Sequence, residues 1–268
     1  MAGTVRTQGF QSSHTGSAYP IHVYLPPGNA AAHAAMPVVY LLDGDSRFET
    51  MMQIVESTRT LVIVVAIGND ARRNQDYVPV NTCTSGGGGH VAYLNFIRLE
   101  LTPFIEANFG GRPLRRVLLA HSHAGSFVLH ALFAEAGANR HFSAYLASDA
   151  SIPCMRETLD GLDGWEAAYA ATNTSLPPRL HLAYAGNVAN ADLATHLQGR
   201  RYGGLTLAAN ACGSGHIGMI PIAFADALAF ALAWLLWPEF IRVNTGAAVQ
   251  RACPAGRCPD VAGVHPFS

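Results

Sequence analysis

The chain has 268 residues, of which 50% are hydrophobic and only 13% charged. That balance excludes a disordered chain, which needs low hydrophobicity and a high net charge. With 17 basic and 18 acidic residues, every basic one an Arg, the net charge is −1, so no electrostatic footprint points to nucleic acid or an anionic membrane.

The predicted elements alternate. Tyr19 to Leu25 alternates apolar and polar and stops at Pro26-Pro27-Gly28, a strand followed by a turn. Pro37 to Leu42 is a continuous apolar run, as expected of a strand buried on both faces. Leu61 to Ile67 is a second such run. Tyr93 to Phe109 places Leu94, Ile97, Leu101, Phe104 and Ile105 at helical spacing. Arg116 to Ala120 reads as a strand, Ser126 to Ala136 as a helix, and Ala144 to Ala147 and Leu180 to Ala185 as strands. Asp192 to Leu197 and Ile220 to Trp237 read as helices; the latter contains Asp226 and is too short for an easy bilayer span. Strands alternating with helices imply an α/β fold with a mainly parallel sheet and helices on both faces. In such sheets chemistry sits at the carboxyl ends of the strands. Those ends are Asp43 to Asp45, Asn69 onward, Ser122, Asp149 and the loop after Ala185.

Residues 1–237 are expected to form one domain and 238–268 a tail extension. Met1 to Gln11 has no apolar signal-peptide core. The expected location is cytoplasmic, with a periplasmic or secreted one as the alternative. Of five cysteines, Cys253 and Cys258 could close a small loop in the tail, whereas Cys83, Cys154 and Cys212 read as separate buried or idle thiols. No Cys-x-x-Cys pair suggests zinc. Thr82 to His90 is rich in Gly without the Lys of a phosphate-binding loop, and reads as a mobile rim over a pocket.

The strongest local signal is Leu118-Leu119-Ala120-His121-Ser122-His123-Ala124-Gly125. A strand runs straight into a helix with Ser at the junction, the arrangement of a nucleophile elbow. The usual Gly-x-Ser-x-Gly has Ala120 and Ala124 at its glycine positions; the competing reading is a Ser that caps the helix. His121 and His123 flank the Ser and suit pocket lining better than a metal site. A Ser nucleophile needs a base. His216, in the Gly-rich segment Cys212 to Gly218, is the candidate, and His196, in a helix, is its rival. An oxyanion hole would use the backbone N–H of His123 and that of Gly44 or Asp45; the alternative there is a plain Asp-Gly turn.

These residues resemble an esterase branch of the α/β hydrolases, which includes siderophore esterases, feruloyl esterases, S-formylglutathione hydrolase and mycolyltransferases. The resemblance rests on Tyr40-Leu41-Leu42-Asp43-Gly44-Asp45, on Ala66-Ile67-Gly68-Asn69 with Arg73, Asp76, Tyr77 and Pro79, on Tyr93 to Ile105, on His121-Ser122 and on His216-Ile217-Gly218. It spans about residues 5 to 237 and is greatest to the bacterial siderophore-esterase-like members. It implies an α/β-hydrolase fold, Ser122 as nucleophile and His216 as general base, with no cofactor and no metal. Arg73 is a candidate for contacting the substrate, with a salt bridge to Asp76 or Glu100 as the alternative, and His121 a candidate for lining the substrate site. The implied partner is a small-molecule or polymeric ester. The implied activity is carboxylic-ester hydrolysis, with acyl transfer or a non-catalytic binding role as alternatives. The chain departs from the family pattern after Ala185, where relatives often carry a Glu. Asp192 and Asp149 both remain candidates to orient His216.

Overall fold

The computed structural model describes residues 3–79, 83, 85–136, 140–154 and 162–233. Eight strands, β1 (Thr4–Gln11), β2 (Ala18–Leu25), β3 (Val38–Leu42), β4 (Ile63–Ile67), β5 (Arg116–His121), β6 (Ala144–Ser148), β7 (Arg179–Tyr184) and β8 (Thr206–Ala211), form one sheet in the order β1-β2-β4-β3-β5-β6-β7-β8. β1 pairs antiparallel with β2 and β2 with β4; every other pairing is parallel. The helices are α1 (Ala30–Ala35), α2 (Gly44–Thr58), α3 (Arg73–Asp76), α4 (His90–Asn95), α5 (Thr102–Phe109), α6 (His123–Phe133), α7 (Leu162–Ala170), α8 (Val188–Arg200), α9 (Gly215–Gly218) and α10 (Ile220–Leu232). A π-helical turn, Phe96–Leu101, joins α4 to α5.

The continuous apolar runs divide their side chains between two layers, as the period of a strand requires. Val39, Leu41, Val64, Ala66, Leu119 and Leu146 pack with Met51 of α2 and with Phe224 and Leu228 of α10. Tyr40, Leu42, Val65, Ile67, Leu118 and Tyr145 point the other way, into a core shared with Tyr93, Phe96, Phe127 and Leu193. Each large apolar side chain so buried contributes roughly 1.5–3 kcal/mol. Placing a charge in either layer would disrupt the sheet before it touched the site.

Two strands escaped the sequence reading. β1 is mostly exposed and polar, and β8 (TLAANA) has no apolar run. Both are set by hydrogen bonding to a neighbour, not by their own pattern: β1 runs its full length against β2, and β8 against β7. The apolar run Ile220 to Trp237 is helical from Ile220 to Leu232. The tail 238–268, with Cys253 and Cys258, lies outside the described residues.

The parallel registers bring the critical turns to one edge. Leu41 pairs with Leu119, His121 with Ser148, Ser148 with Ala183, and Tyr184 with Ala211. Asp43, Ser122 and Asp149 therefore leave three adjacent strands side by side, and the segment after β8 leaves the same edge two strands beyond Asp149. Gly44 is needed there: a Cβ on it would lie 2.9 Å from backbone atoms of Ala66 and Ile67.

Candidate active site

The strand-to-helix turn after β5 has the strained backbone of an elbow. Ser122 has φ 64° and ψ −129°, a conformation that costs a non-Gly residue about 1–3 kcal/mol. Its N–H donates to Ser148 O at 2.9 Å, and its carbonyl accepts from Ser126 N at 3.1 Å and Ser151 N at 3.3 Å. These bonds hold the turn against its strain. Ala120 and Ala124 are fully buried in the glycine positions of the motif. The tightest crossing falls one residue later: a Cβ on Gly125 would sit 3.1 Å from Ser148 O and 3.3 Å from Ala150 Cα. That offset explains why two alanines fit. The Ser122 side chain makes no capping bond to α6; its Oγ lies 3.3 Å from Ser151 Oγ.

Asp149 leaves β6 beside it, also at positive φ (42°). Its N–H donates to Ala183 O at 2.6 Å. Its carboxylate is buried and doubly used: Oδ1 accepts from Ala185 N at 3.1 Å, and Oδ2 from His216 Nδ1 at 2.5 Å. With its proton on Nδ1, the imidazole keeps Nε2 as an acceptor. Asp192 is exposed on α8, and His216 pairs with Asp149 instead. The carboxylate that meets His216 thus follows β6 and not β7. His196 Nε2 is hydrogen-bonded to buried Glu166 Oε2 at 2.8 Å.

His121 is not open to a substrate as expected. It is the last residue of β5, 2% exposed, and its Nε2 donates to the backbone carbonyl of His216 at 2.8 Å. The two rings stand 4.3 Å apart between centroids. Burial, with the neighbouring His216 adding to it, lowers the His121 pKa to about 4. Ligand atoms of His121, Asp149 and His216 lie within 4.8 Å of one another, the one group among the described residues close enough to share a cation. Those side chains are committed to the hydrogen bonds above.

Gly44 and Asp45 open α2, and His123 opens α6. First-turn N–H groups have no acceptor within their own helix. The turn into α2 is held from behind. Asp43 has φ 56° and is 2% exposed. Its N–H donates to Tyr77 Oη at 3.2 Å, and its carboxylate receives Arg73 Nε at 2.8 Å and Nη2 at 3.0 Å. Arg73 is thus in an ion pair, but with neither of the carboxylates considered from sequence. Asp76 is gripped by Arg72 and by Tyr19 Oη, and Glu100 accepts from Ser12 Oγ and Ser13 N. Arg73 also lines a cavity of about 460 Å³ together with the other residues of 70–75, Ser85 and Gly86. Burial, followed by the charge of Arg73, lowers the pKa of His123. Its Nδ1 is buried without a hydrogen-bond partner among the described residues.

Cys83 and Cys154 are not separate thiols but form a disulfide across 71 residues of sequence. The bond ties the Gly-rich rim to the segment that carries Ser151. The rim is also fastened by Gly88 N to Val78 O (2.9 Å) and by Gln75 Nε2 to Gly87 O (2.8 Å). Their distance in sequence hid the pair; only the tertiary structure brings Cys154, after β6, to Cys83.

A model of the family described as "Putative esterase" matches residues 12–155. The chain belongs to this family. It is 30% identical over 164 residues to the siderophore triacetylfusarinine C esterase of Aspergillus fumigatus, covering 54% of this chain and 55% of that protein. It is 28% identical over 157 residues to the ferri-bacillibactin esterase BesA of Bacillus subtilis, covering 49% and 53%. The chain thus spans about half the length of the curated relatives it matches. Among solved structures, an IroE-like serine hydrolase from Shewanella oneidensis superposes with a TM-score of 0.75 at 26% identity, covering 84% of this chain and 79% of the other. The family member described above therefore has the α/β-hydrolase fold. No described helix is long and apolar enough to cross a membrane.

Proposed function

We propose that the chain is a serine-dependent carboxylic-ester hydrolase. The observation that carries this reading is the Asp149–His216 hydrogen bond, at 2.5 Å, beside a strained Ser122 at the same sheet edge. Ser122 Oγ attacks the acyl carbon and gives its proton to His216 Nε2. The imidazolium passes that proton to the leaving alkoxide, and an acyl-enzyme remains. Water then loses a proton to His216 and attacks the acyl carbon; as the acyl–Oγ bond breaks, the imidazolium returns that proton to Ser122 Oγ and the acid leaves. Asp149 keeps the imidazole in the required tautomer and balances its positive charge, a role worth up to about 10⁴ in turnover. The N–H of His123, with that of Gly44 or Asp45, receives the oxyanion; removing one such donor typically costs 10²–10³ in kcat.

The substrate class we propose is a polar, oxygen-rich ester of the siderophore type. The names of the relatives suggest it; the polar cavity lined by residues 70–75 with Ser85 and Gly86 includes neither Ser122 nor His216. Arg73 would act chiefly by clamping Asp43. The Cys83–Cys154 disulfide supports a periplasmic or secreted location over a cytoplasmic one, because cytosolic thiols are kept reduced.

The test is labelling with a fluorophosphonate, followed by peptide mapping. A mass increase on the Ser122 peptide, lost in His216→Ala, is the expected result. A folded protein that takes up no label, or whose Ser122→Ala variant hydrolyses p-nitrophenyl acetate at the wild-type rate, overturns the reading.

A further inference from the structure

The base stands on a weakly built support. His216 lies in the four-residue α9, entered through Gly213, Ser214 and Gly215. Gly215 adopts φ 72°, and a Cβ there would meet open space. The His216 side chain is 47% exposed. Neither burial nor a long helix fixes this residue. Asp149 holds its ring and His121 holds its backbone carbonyl, each by one hydrogen bond.

His121 can serve as an anchor because it is fixed itself. It ends β5, pairs with Ser148 of β6 and is almost wholly buried. It also precedes Ser122, so one strand end carries the nucleophile and the residue that reaches the base. We propose that His121 is a positioning residue: its Nε2–H fixes the His216 backbone so that the His216 ring can serve Asp149 and Ser122 together. This inference rests on the esterase reading above.

The chemistry favours a neutral donor. A carbonyl only accepts, so Nε2 of His121 carries the proton. Burial keeps the ring uncharged at neutral pH. A cation there would stand 4.3 Å from a ring that becomes positive during the reaction. A neutral imidazole donates without opposing that charge. Small misplacements of a catalytic group can cost about 10²-fold, and a single hydrogen bond is modest by comparison, so the expected loss lies between.

Three variants test this in the intact chain: His121→Leu, which has no donor; His121→Asn, whose amide is too short to reach; and His121→Gln, whose amide nitrogen can replace Nε2. Each is assayed with p-nitrophenyl acetate well below its melting temperature. The Leu and Asn variants should lose about tenfold to a hundredfold in kcat with KM within about twofold, and the fluorophosphonate labelling rate should fall in parallel. The His216 Nδ1 proton resonance should broaden in both. The Gln variant should recover most of the lost turnover and the sharp resonance. Wild-type kcat in the Leu and Asn variants overturns the inference, as does a Gln variant as slow as Leu, which would leave ring packing as the whole role. If wild-type protein is not labelled at Ser122, the esterase reading fails. If it is labelled and all three His121 variants react at its rate, only the positioning role fails.

Discussion

Ser122 and Asp149 differ from His216 in what holds them. Each of the first two stands one residue beyond a buried strand, at positive φ, with its N–H bonded into the neighbouring strand end. His216 comes five residues after β8, on a four-residue helix, with half its side chain in solvent. The sheet places Ser122 and Asp149. Side-chain hydrogen bonds place His216. Strained backbone is therefore confined to the two strand ends, while His216 depends on two hydrogen bonds from side chains.

The comparison breaks first at Asp149. Asp149→Asn should reduce kcat by up to about 10⁴, because the imidazole loses the acceptor that fixes its tautomer. Asp192→Asn should keep wild-type kcat, since Asp192 is exposed on α8 and His216 is paired elsewhere. Steady-state assays of the two variants decide between them. Equal losses would mean that the acid is shared or recruited.

The disulfide sharpens the contrast between the sheet edge and the rim above it. Replacing Cys83 and Cys154 together by Ser should lower stability by about 2–4 kcal/mol, through a freer unfolded chain. Denaturant titration reads this directly. KM should rise more than kcat falls, because the rim joins the cavity wall near Gln75 while Ser122 keeps its bonds to β6. A variant with unchanged KM would separate the rim from substrate binding.

Acid should act on stability through the buried histidines. Burial lowers His121 and His181 to a pKa of about 4, and His130 and His141 to about 3. The unfolded chain takes up a proton at each below about pH 6.5, whereas the folded chain does not until about 4 or 3. Unfolding therefore binds protons, and stability falls as pH drops from about 6.5 toward 4. Each histidine contributes up to about 1.4 kcal/mol per pH unit in that window. Melting temperatures measured from pH 7.5 to pH 4.5 should fall steadily. A flat profile would mean that these rings are charged in the folded state.

The smallest effect tests the elbow strain itself. Ser122→Gly and Ser122→Ala should both be inactive, but the Gly variant should be more stable than the Ala variant by about 1 kcal/mol. Gly accepts φ 64° freely, and Ala does not. Paired thermal melts suffice. Equal melting temperatures would show that the hydrogen bonds from Ser126 and Ser151 fully offset the strain.

The sequence by itself determined the central strands, the elbow and the identity of the candidate base. β3 and β4 are buried at every position, and β5 is apolar from Val117 to Ala120, so these runs need no partner to be recognised. The elbow was legible despite Ala120 and Ala124, because a strand, a Ser and a helix follow one another without a loop. His216 followed from its Gly-rich segment and from the resemblance, and His196 was set aside as a helix residue. Tertiary structure alone decided the rest. Asp149 prevailed over Asp192 because β6 lies next to β5 in the sheet, and strand order is not written in local pattern. Arg73 found Asp43 across 30 residues, and Cys83 found Cys154 across 71. His121, which reads from sequence as a pocket residue, is turned beneath the base by the pleat of β5. Local pattern records which face of an element is apolar. Which distant side chains meet depends on how the strand ends line up, and that is fixed only when the whole sheet has formed.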